Sequence, residues 1–236
     1  MPTSKHRKKD STRRRKAVKP KEPTESSRKI RIRRHRFPEL RNNQDFLALV
    51  KVGRVVNAVT SGIQFISDYI DDISPVGRRQ YHRAVFMTGG YLFEGLNLVS
   101  SLRLKYIKEP FFQNLNALVD EPYKKHRRIL QEIRHSVAFH FDSDDKSTKA
   151  ALKKLRLPKY DLMSGDSDKV LDFYFDFADT IDLNYLIDKF KDERPESEVV
   201  MEIFKAITDL MPLFGAAGHE FLTGLGEKMQ FSEYVD

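Results

Sequence analysis

The chain contains no cysteine. Disulfide staples, thiolate metal sites and thiol nucleophiles are therefore excluded, and the absence is compatible with a reducing compartment. At 236 residues, the chain is long enough to bury a hydrophobic core without such staples. It also shows no targeting segment: no apolar stretch follows Arg13-Arg14-Arg15, so neither an ordinary nor a twin-arginine signal peptide fits. The apolar window over residues 199–218 is broken by Glu202, Lys205 and Asp209. A membrane-spanning helix needs roughly twenty mostly uncharged residues, so none is expected. These absences set the expectation of a cytoplasmic protein, or a nuclear one if the source is eukaryotic, with no membrane partner.

The body of the chain also lacks an excess of positive charge, although the whole carries +8. Residues 1–36 hold 16 Lys and Arg against 3 Asp and Glu, a balance of +13, whereas the remaining 200 residues hold 26 against 31, or −5. The basic character belongs to an N-terminal arm running to about Arg41. Large apolar residues are almost absent there before Ile30, so the arm cannot bury enough surface to offset its ordering entropy and is expected to be disordered alone. Ile30, Ile32 and Phe37 lie among Arg31, Arg33, Arg34 and Arg36, so the end of the arm could order on a partner. Arg13, Arg14, Arg15, Arg31, Arg33 and Arg34 are the arm's candidates for neutralising nucleic-acid phosphates, in a salt-dependent and largely sequence-blind manner. A nuclear localisation signal is an alternative use of such runs, and attraction to an anionic membrane is the weakest reading, since no amphipathic helix or lipidation signal accompanies the charges.

Behind the arm, apolar spacing is helical. Phe46, Leu49, Val50, Val56, Val59, Ile63, Ile66 and Ile70 recur at intervals of three and four, with longer gaps, which predicts a helix over 44–70. Ser74 and Pro75 suit an N-cap and a first helical position, opening a helix to about Ile107 that Gly89-Gly90 should loosen. A short helical piece over 111–119 and a helix over 122–139 follow, the latter started by Asp120-Glu121-Pro122. A further helix is expected over about 145–155, after a turn at Asp142-Ser143-Asp144-Asp145. Residues 157–168 read as a loop. The stretch 171–177 alternates like a strand, but helix to Phe190 is favoured because a lone strand has nothing to pair with. Phe173, Tyr174, Phe175 and Phe177 then belong to the core or a dimer interface. Residues 195–229 read as a last helix weakened by Gly215, Gly218, Gly224 and Gly226. The expected class is all-α: one domain over 42–236, with a bundle over about 44–190 and a terminal helix over about 195–229, behind the arm at 1–41.

The segment with chemistry in it is Ile133-Arg134-His135-Ser136-Val137-Ala138-Phe139-His140-Phe141-Asp142. Leu130, Ile133, Val137 and His140 share an apolar stripe, which places His140 inward or at an interface and Arg134 at the margin. Arginine offers a fixed fork to phosphate oxygens, and histidine moves protons near neutral pH. A histidine on an apolar face is more often a hydrogen-bonded core residue, so the context carries more weight than the spacing. That context is a polar residue after the arginine, an aromatic on either side of the histidine, and an aspartate soon after.

This decapeptide resembles the signature of the HEPN superfamily (higher eukaryote and prokaryote nucleotide-binding domains), in which an arginine, a polar residue and a short run ending in histidine lie on a late helix of an all-α bundle. Arg134 matches the arginine, His135 the polar position and His140 the histidine. The interval is one residue longer than in the tightest form, and histidine replaces the commoner asparagine at the polar position. The resemblance implies an HEPN-like bundle acting as a homodimer, with the two motifs facing one cleft. It implies metal-independent RNA cleavage with no cofactor: His140 as general acid or base for attack of a ribose 2′-hydroxyl on the adjacent phosphate, Arg134 as charge stabiliser, and His135 orienting His140 or touching phosphate. It also implies a toxin or defence setting with a cognate inhibitor protein.

Other residues have plainer readings. The acidic turn lacks the glycine and distal glutamate of a calcium loop, and capping the next helix explains it, so no metal site is expected. His82 and His126 lie among basic residues that suit a solvated helix face. Lys124, Lys125, Arg127 and Arg128 are the more suggestive of the two groups, because they share a helix with the motif and could guide a strand to it. Gly215-Ala216-Ala217-Gly218-His219 follows no strand, forms no phosphate loop, and suits close helix contact or a bend. Against the RNA-cleaving expectation stands a reading from another class: a non-catalytic helical adaptor docked on nucleic acid or ribonucleoprotein by its arm. Deleting residues 1–36 is expected to weaken RNA binding and flatten its salt dependence, with the helical circular-dichroism signal of the body unchanged. Loss of that signal would contradict the tether.

Overall fold

The computed structural model describes residues 29–30, 36–138, 149, 152–153, 176–230 and 233–234. They fall in two compact units, one of Arg33–Gln230 and one of Met1–Ile32 with Phe231–Asp236. In the smaller unit, Lys29–Ile30 (β1) pairs antiparallel with Glu233–Tyr234 (β2), Lys29 opposite Tyr234 and Ile30 opposite Glu233. Apart from that two-residue pairing, the described chain is helical. The disorder expected of the arm falls on residues outside the described ones except at 29–30 and 36–41, which are described. These carry β1 and a short helix, α1 (Phe37–Leu40), whose Leu40 is buried.

The two long helices that follow are started by local chemistry. The Asn43 side chain accepts hydrogen bonds from the Asp45 and Phe46 amides at 2.8 and 3.1 Å, opening α2 (Gln44–Tyr69). Ser74 Oγ accepts from the Gly77 amide at 3.0 Å, and Pro75 begins α3 (Pro75–Tyr106). The short 110–117 segment forms a 3₁₀ turn (Pro110–Phe112) and α4 (Gln113–Ala117). A second 3₁₀ turn (Glu121–Tyr123) leads into α5 (Lys124–Ile133), which widens into a π-helical turn over Arg134–Ala138. α6 (Asp176–Phe190) and α7 (Glu196–Lys228) complete the bundle.

α2 and α3 form an antiparallel hairpin, and α7 packs against both of them, against α5 and against the 110–117 segment. The shared core is built from Val52, Val59 and Ile66 of α2, Val85, Leu92 and Leu96 of α3, Leu130 and Ile133 of α5, and Ile203, Leu210, Phe214 and Phe221 of α7, all buried. The expected loosening at Gly89-Gly90 does not occur: α3 runs through it, because the missing side chain admits Ile207 and Ile133, which would stand 3.2 and 3.3 Å from a Cβ at Gly89. Gly95 allows a closer approach, since a Cβ there would sit 2.6 Å from the Phe214 ring and 2.8 Å from Val55 Cγ1. The glycines of α7 likewise fail to break it, and the helix continues to Lys228 past Pro212 as well.

α2, rather than the 199–218 window, is the described helix long and apolar enough to cross a membrane by length and composition. Core helices pass the same test, and the inward face of α2 is buried here, so the property carries no argument about location.

One end of the bundle is tied by a polar anchor set in aromatic packing. The Tyr106 ring meets Phe221 edge-on at 5.4 Å, and its hydroxyl donates to Asp45 Oδ1 at 2.6 Å. Lys105 Nζ reaches the same oxygen at 2.5 Å, and Lys228 at the end of α7 pairs with Glu109. Burial would raise the Asp45 carboxyl, but the hydrogen bonds from Lys105 and Tyr106 outweigh it and hold the group below its ordinary value of 3.8. Burial first, and then the Asp45 bond, push the Tyr106 phenol up. A hydrogen bond to a charged partner contributes about 1.5–3 kcal/mol.

Replacement of Gly95 by alanine forces a methyl group against a filled core and is expected to lower the unfolding free energy by about 1–3 kcal/mol, read by urea titration. Unchanged stability would contradict the close approach. The depressed Asp45 carboxyl stabilises the fold fully above its unfolded value, and that contribution is lost as pH falls through the folded one. Asp45→Asn should therefore lower Tm at pH 7, and the gap to the parent should shrink below about pH 4. A gap that stays constant to pH 3 would rule out the ionised contact as its source.

Candidate functional site around Arg134

α5 is strongly amphipathic because Ile129, Leu130 and Ile133 share its buried face while lysines and arginines occupy the rest. At Arg134 the turn widens. An inserted π turn re-phases the faces of a helix, and such turns are frequent at functional sites. The stripe of Leu130 and Ile133 is thus interrupted where the motif begins, and Val137 is only partly buried against the core.

Arg134 projects towards α3, where its Nε donates to Glu94 Oε1 at 2.5 Å. The arginine side chain is 23% exposed and the glutamate 47%, so the pair sits at the rim of the bundle. His135 is exposed, with its ring edge-on to Phe93 at 5.8 Å. Ser136 donates to the Tyr185 hydroxyl at 3.3 Å, and that hydroxyl donates to Glu132 Oε2 at 3.3 Å. Lys189 also reaches Glu132, at 3.6 Å. These contacts pin α6 beside the motif and hold the widened turn on both sides. His140 lies outside the described residues, as do Phe139, Phe141 and the acidic turn Asp142-Ser143-Asp144-Asp145.

The four basic residues of α5 do not share one environment. Lys124 pairs with Glu121 at 3.1 Å, Lys125 pairs with Glu202 on α7, and Arg127 donates to Asn97 of α3 at 3.2 Å. Arg128 is exposed. Glu202 also accepts from Arg194 at 3.0 Å. Burial would raise its carboxyl, but hydrogen bonds from Lys125 and Arg194 hold it below its ordinary value. Arg13, Arg14, Arg15, Arg31, Arg33 and Arg34 lie outside the described residues. His82 packs against the Phe204 ring at 5.7 Å, and His126 stands edge-on to Tyr123 with Nε2 3.6 Å from Asp209. Among the described residues, no group of three or more His, Asp or Glu side chains is placed to hold a metal.

The structure adds residues that no local pattern singled out. Between the outer faces of α2 and α3 runs an open groove. One compartment of about 350 Å³ is bordered by Lys51, Arg54, Tyr91 and Glu94, the same glutamate that holds Arg134. A second compartment of about 540 Å³ is bordered by Phe65, Tyr69, Arg83, Met87 and Tyr91. Ala58 and Tyr91 border both, so the compartments adjoin. The sequence did hold a signal for Lys51 and Arg54: two cations at helical spacing, the only lysine and arginine of α2. Glu94 had none, because its partner lies 40 positions away.

Compared with protein-family models, with curated proteins and with solved structures, the chain matches none of them.

Proposed function

We propose that this chain is an RNA-acting helical protein of HEPN type, a metal-independent endoribonuclease that works as a homodimer. In this reading His140 transfers a proton during attack of the ribose 2′-hydroxyl on the adjacent phosphate, and the 5′-oxygen leaves to give a 2′,3′-cyclic phosphate. Arg134 neutralises the charge that builds on the phosphoryl oxygens. The need for a 2′-hydroxyl confines cleavage to RNA. The arm raises the local concentration of RNA through phosphate contacts, while Lys124 and Arg128 guide the strand. A toxin or defence setting with a cognate inhibitor, and a cytoplasmic or nuclear location, belong to the same proposal.

The observation that supports this reading is the placing of Arg134: it opens a π-helical turn, and Glu94 orients its guanidinium at the rim rather than in the core. The same ion pair favours a second reading. An arginine engaged by a glutamate can simply fasten α5 to α3, in which case the protein is a non-catalytic adaptor docked by its arm.

The two readings separate in one assay. Full-length protein with single-stranded RNA in EDTA is expected to leave cyclic phosphate ends. Arg134→Ala and His140→Ala are each expected to lower the rate by about a hundredfold or more. Undiminished cleavage in both variants would remove the catalytic assignment, and a parent protein that binds RNA without cutting it would favour the adaptor.

A further inference from the structure

We propose that the groove between α2 and α3 is a track for single-stranded RNA, with Lys51 and Arg54 on its phosphates and Phe65 and Tyr91 against its bases. The choice of RNA over DNA rests on the function proposed above, whereas the groove's fitness for a nucleic-acid strand rests on its own chemistry.

Lys51 and Arg54 lie three positions apart on α2, which brings their Cβ atoms within about 5–6 Å of each other on one face. Both are exposed, and neither has an acidic partner among the described residues. The one carboxylate bordering their compartment, Glu94, is bound to Arg134. A pair of uncompensated cations stands out on a body whose 200 residues beyond the arm carry −5. The neighbouring compartment is apolar and aromatic: Phe65 is 57% exposed and Met87 45%, with Tyr91 at the junction. Exposed cations in one compartment and the exposed Phe65 ring in the next, with half-buried Tyr91 at the junction, meet the two needs of a single strand, phosphate neutralisation and base stacking. Glu94 borders the track and holds Arg134, so the track lies one ion pair away from the first residue of the motif.

A second copy of the chain is the other candidate occupant, given the exposed Phe65 and Met87. A two-fold contact places the same patch on both partners. Centred on this groove, it would set Lys51 and Arg54 against their own equivalents, with like charges opposed. Charge complementarity favours the polyanion.

The test uses the full chain and a single-stranded oligouridylate that carries 4-thiouridine. Cross-links are expected in peptides of α2 and α3 that contain Phe65 or Tyr91. The double variant Lys51→Glu/Arg54→Glu is expected to bind about tenfold or more weakly than the parent. Its slope of log affinity against log salt is expected to fall by about 1.4, for two lost phosphate contacts. The charge-matched control Lys108→Glu/Lys205→Glu, at exposed positions on other faces, should change affinity no more than about twofold. Circular dichroism checks that each variant is folded. Cross-links confined to the arm, or groove and control variants that bind alike, would overturn the proposal. So would a dimer that Phe65→Glu dissociates while RNA affinity stays unchanged, which would assign the groove to a second copy. The two proposals fail separately: groove cross-links in a protein that never cuts RNA leave the track and remove the nuclease, and Arg134-dependent cleavage without groove cross-links does the reverse.

Discussion

How closely α2, α3 and α7 can approach one another governs the rest of the molecule. Phe214 occupies the space that a side chain at Gly95 would take, and Val55 presses on the same point from α2. Interiors are packed to crystal density, so this three-way contact sets the relative height of the helices. With α7 filling the inner side, the outer sides of α2 and α3 have no helix over them among the described residues, and a groove is what remains. The apolar character of α2 follows from the same arrangement. A helix that lends one face to the core and another to a groove lined by Phe65 and Ala58 has little room for charge, and Lys51 and Arg54 are therefore conspicuous on it.

The polar contacts divide along similar lines. At one end, the cluster of Tyr106, Asp45 and Lys105 is buried enough for its hydrogen bonds to stabilise the fold. The pairs formed by Lys124 and Lys125 on α5 join more exposed cations, which contribute little individually. Arg134 and Glu94 lie between these cases. Their pair fixes the direction of a guanidinium at the rim, and a fixed direction is what a charge-stabilising arginine and a structural clamp both require.

What the sequence made legible was governed by neighbours along the chain. Ser74-Pro75 announced the start of α3 through capping chemistry, and the three–four spacing outlined α2 to within a residue of its end. The preference for helix up to Phe190 matches α6 from Asp176 onward, which takes in the end of the strand-like run over 171–177, while residues 171–175 lie outside the described ones. Gly89-Gly90 misled because glycine's weak helix propensity is a local quantity, and Ile207 comes from a distant part of the chain to pack there. The spacing predicts one helix over 122–139, yet the segment opens as 3₁₀ and widens to π at the motif. The π turn lies against α3 and α6, contacts that periodicity does not register. Glu94 was invisible for the same reason, and the groove too, since a groove belongs to two helices at once.

The turn joining α2 to α3 spans only Ile70–Ser74, and this brevity bears on the order of events during folding. Closing so short a loop costs little entropy, and contacts between sequence neighbours form fast. Domains are synthesised from the N-terminus, so both walls of the groove leave the ribosome about 90 residues before α7 begins. Until α7 arrives, much of the hairpin's inward stripe of valines and leucines lacks its main partner, with α5 covering only part of α3. The nascent chain thus carries its cationic groove early and its hydrophobic partner late, and the interval between them is when it is most exposed to aggregation.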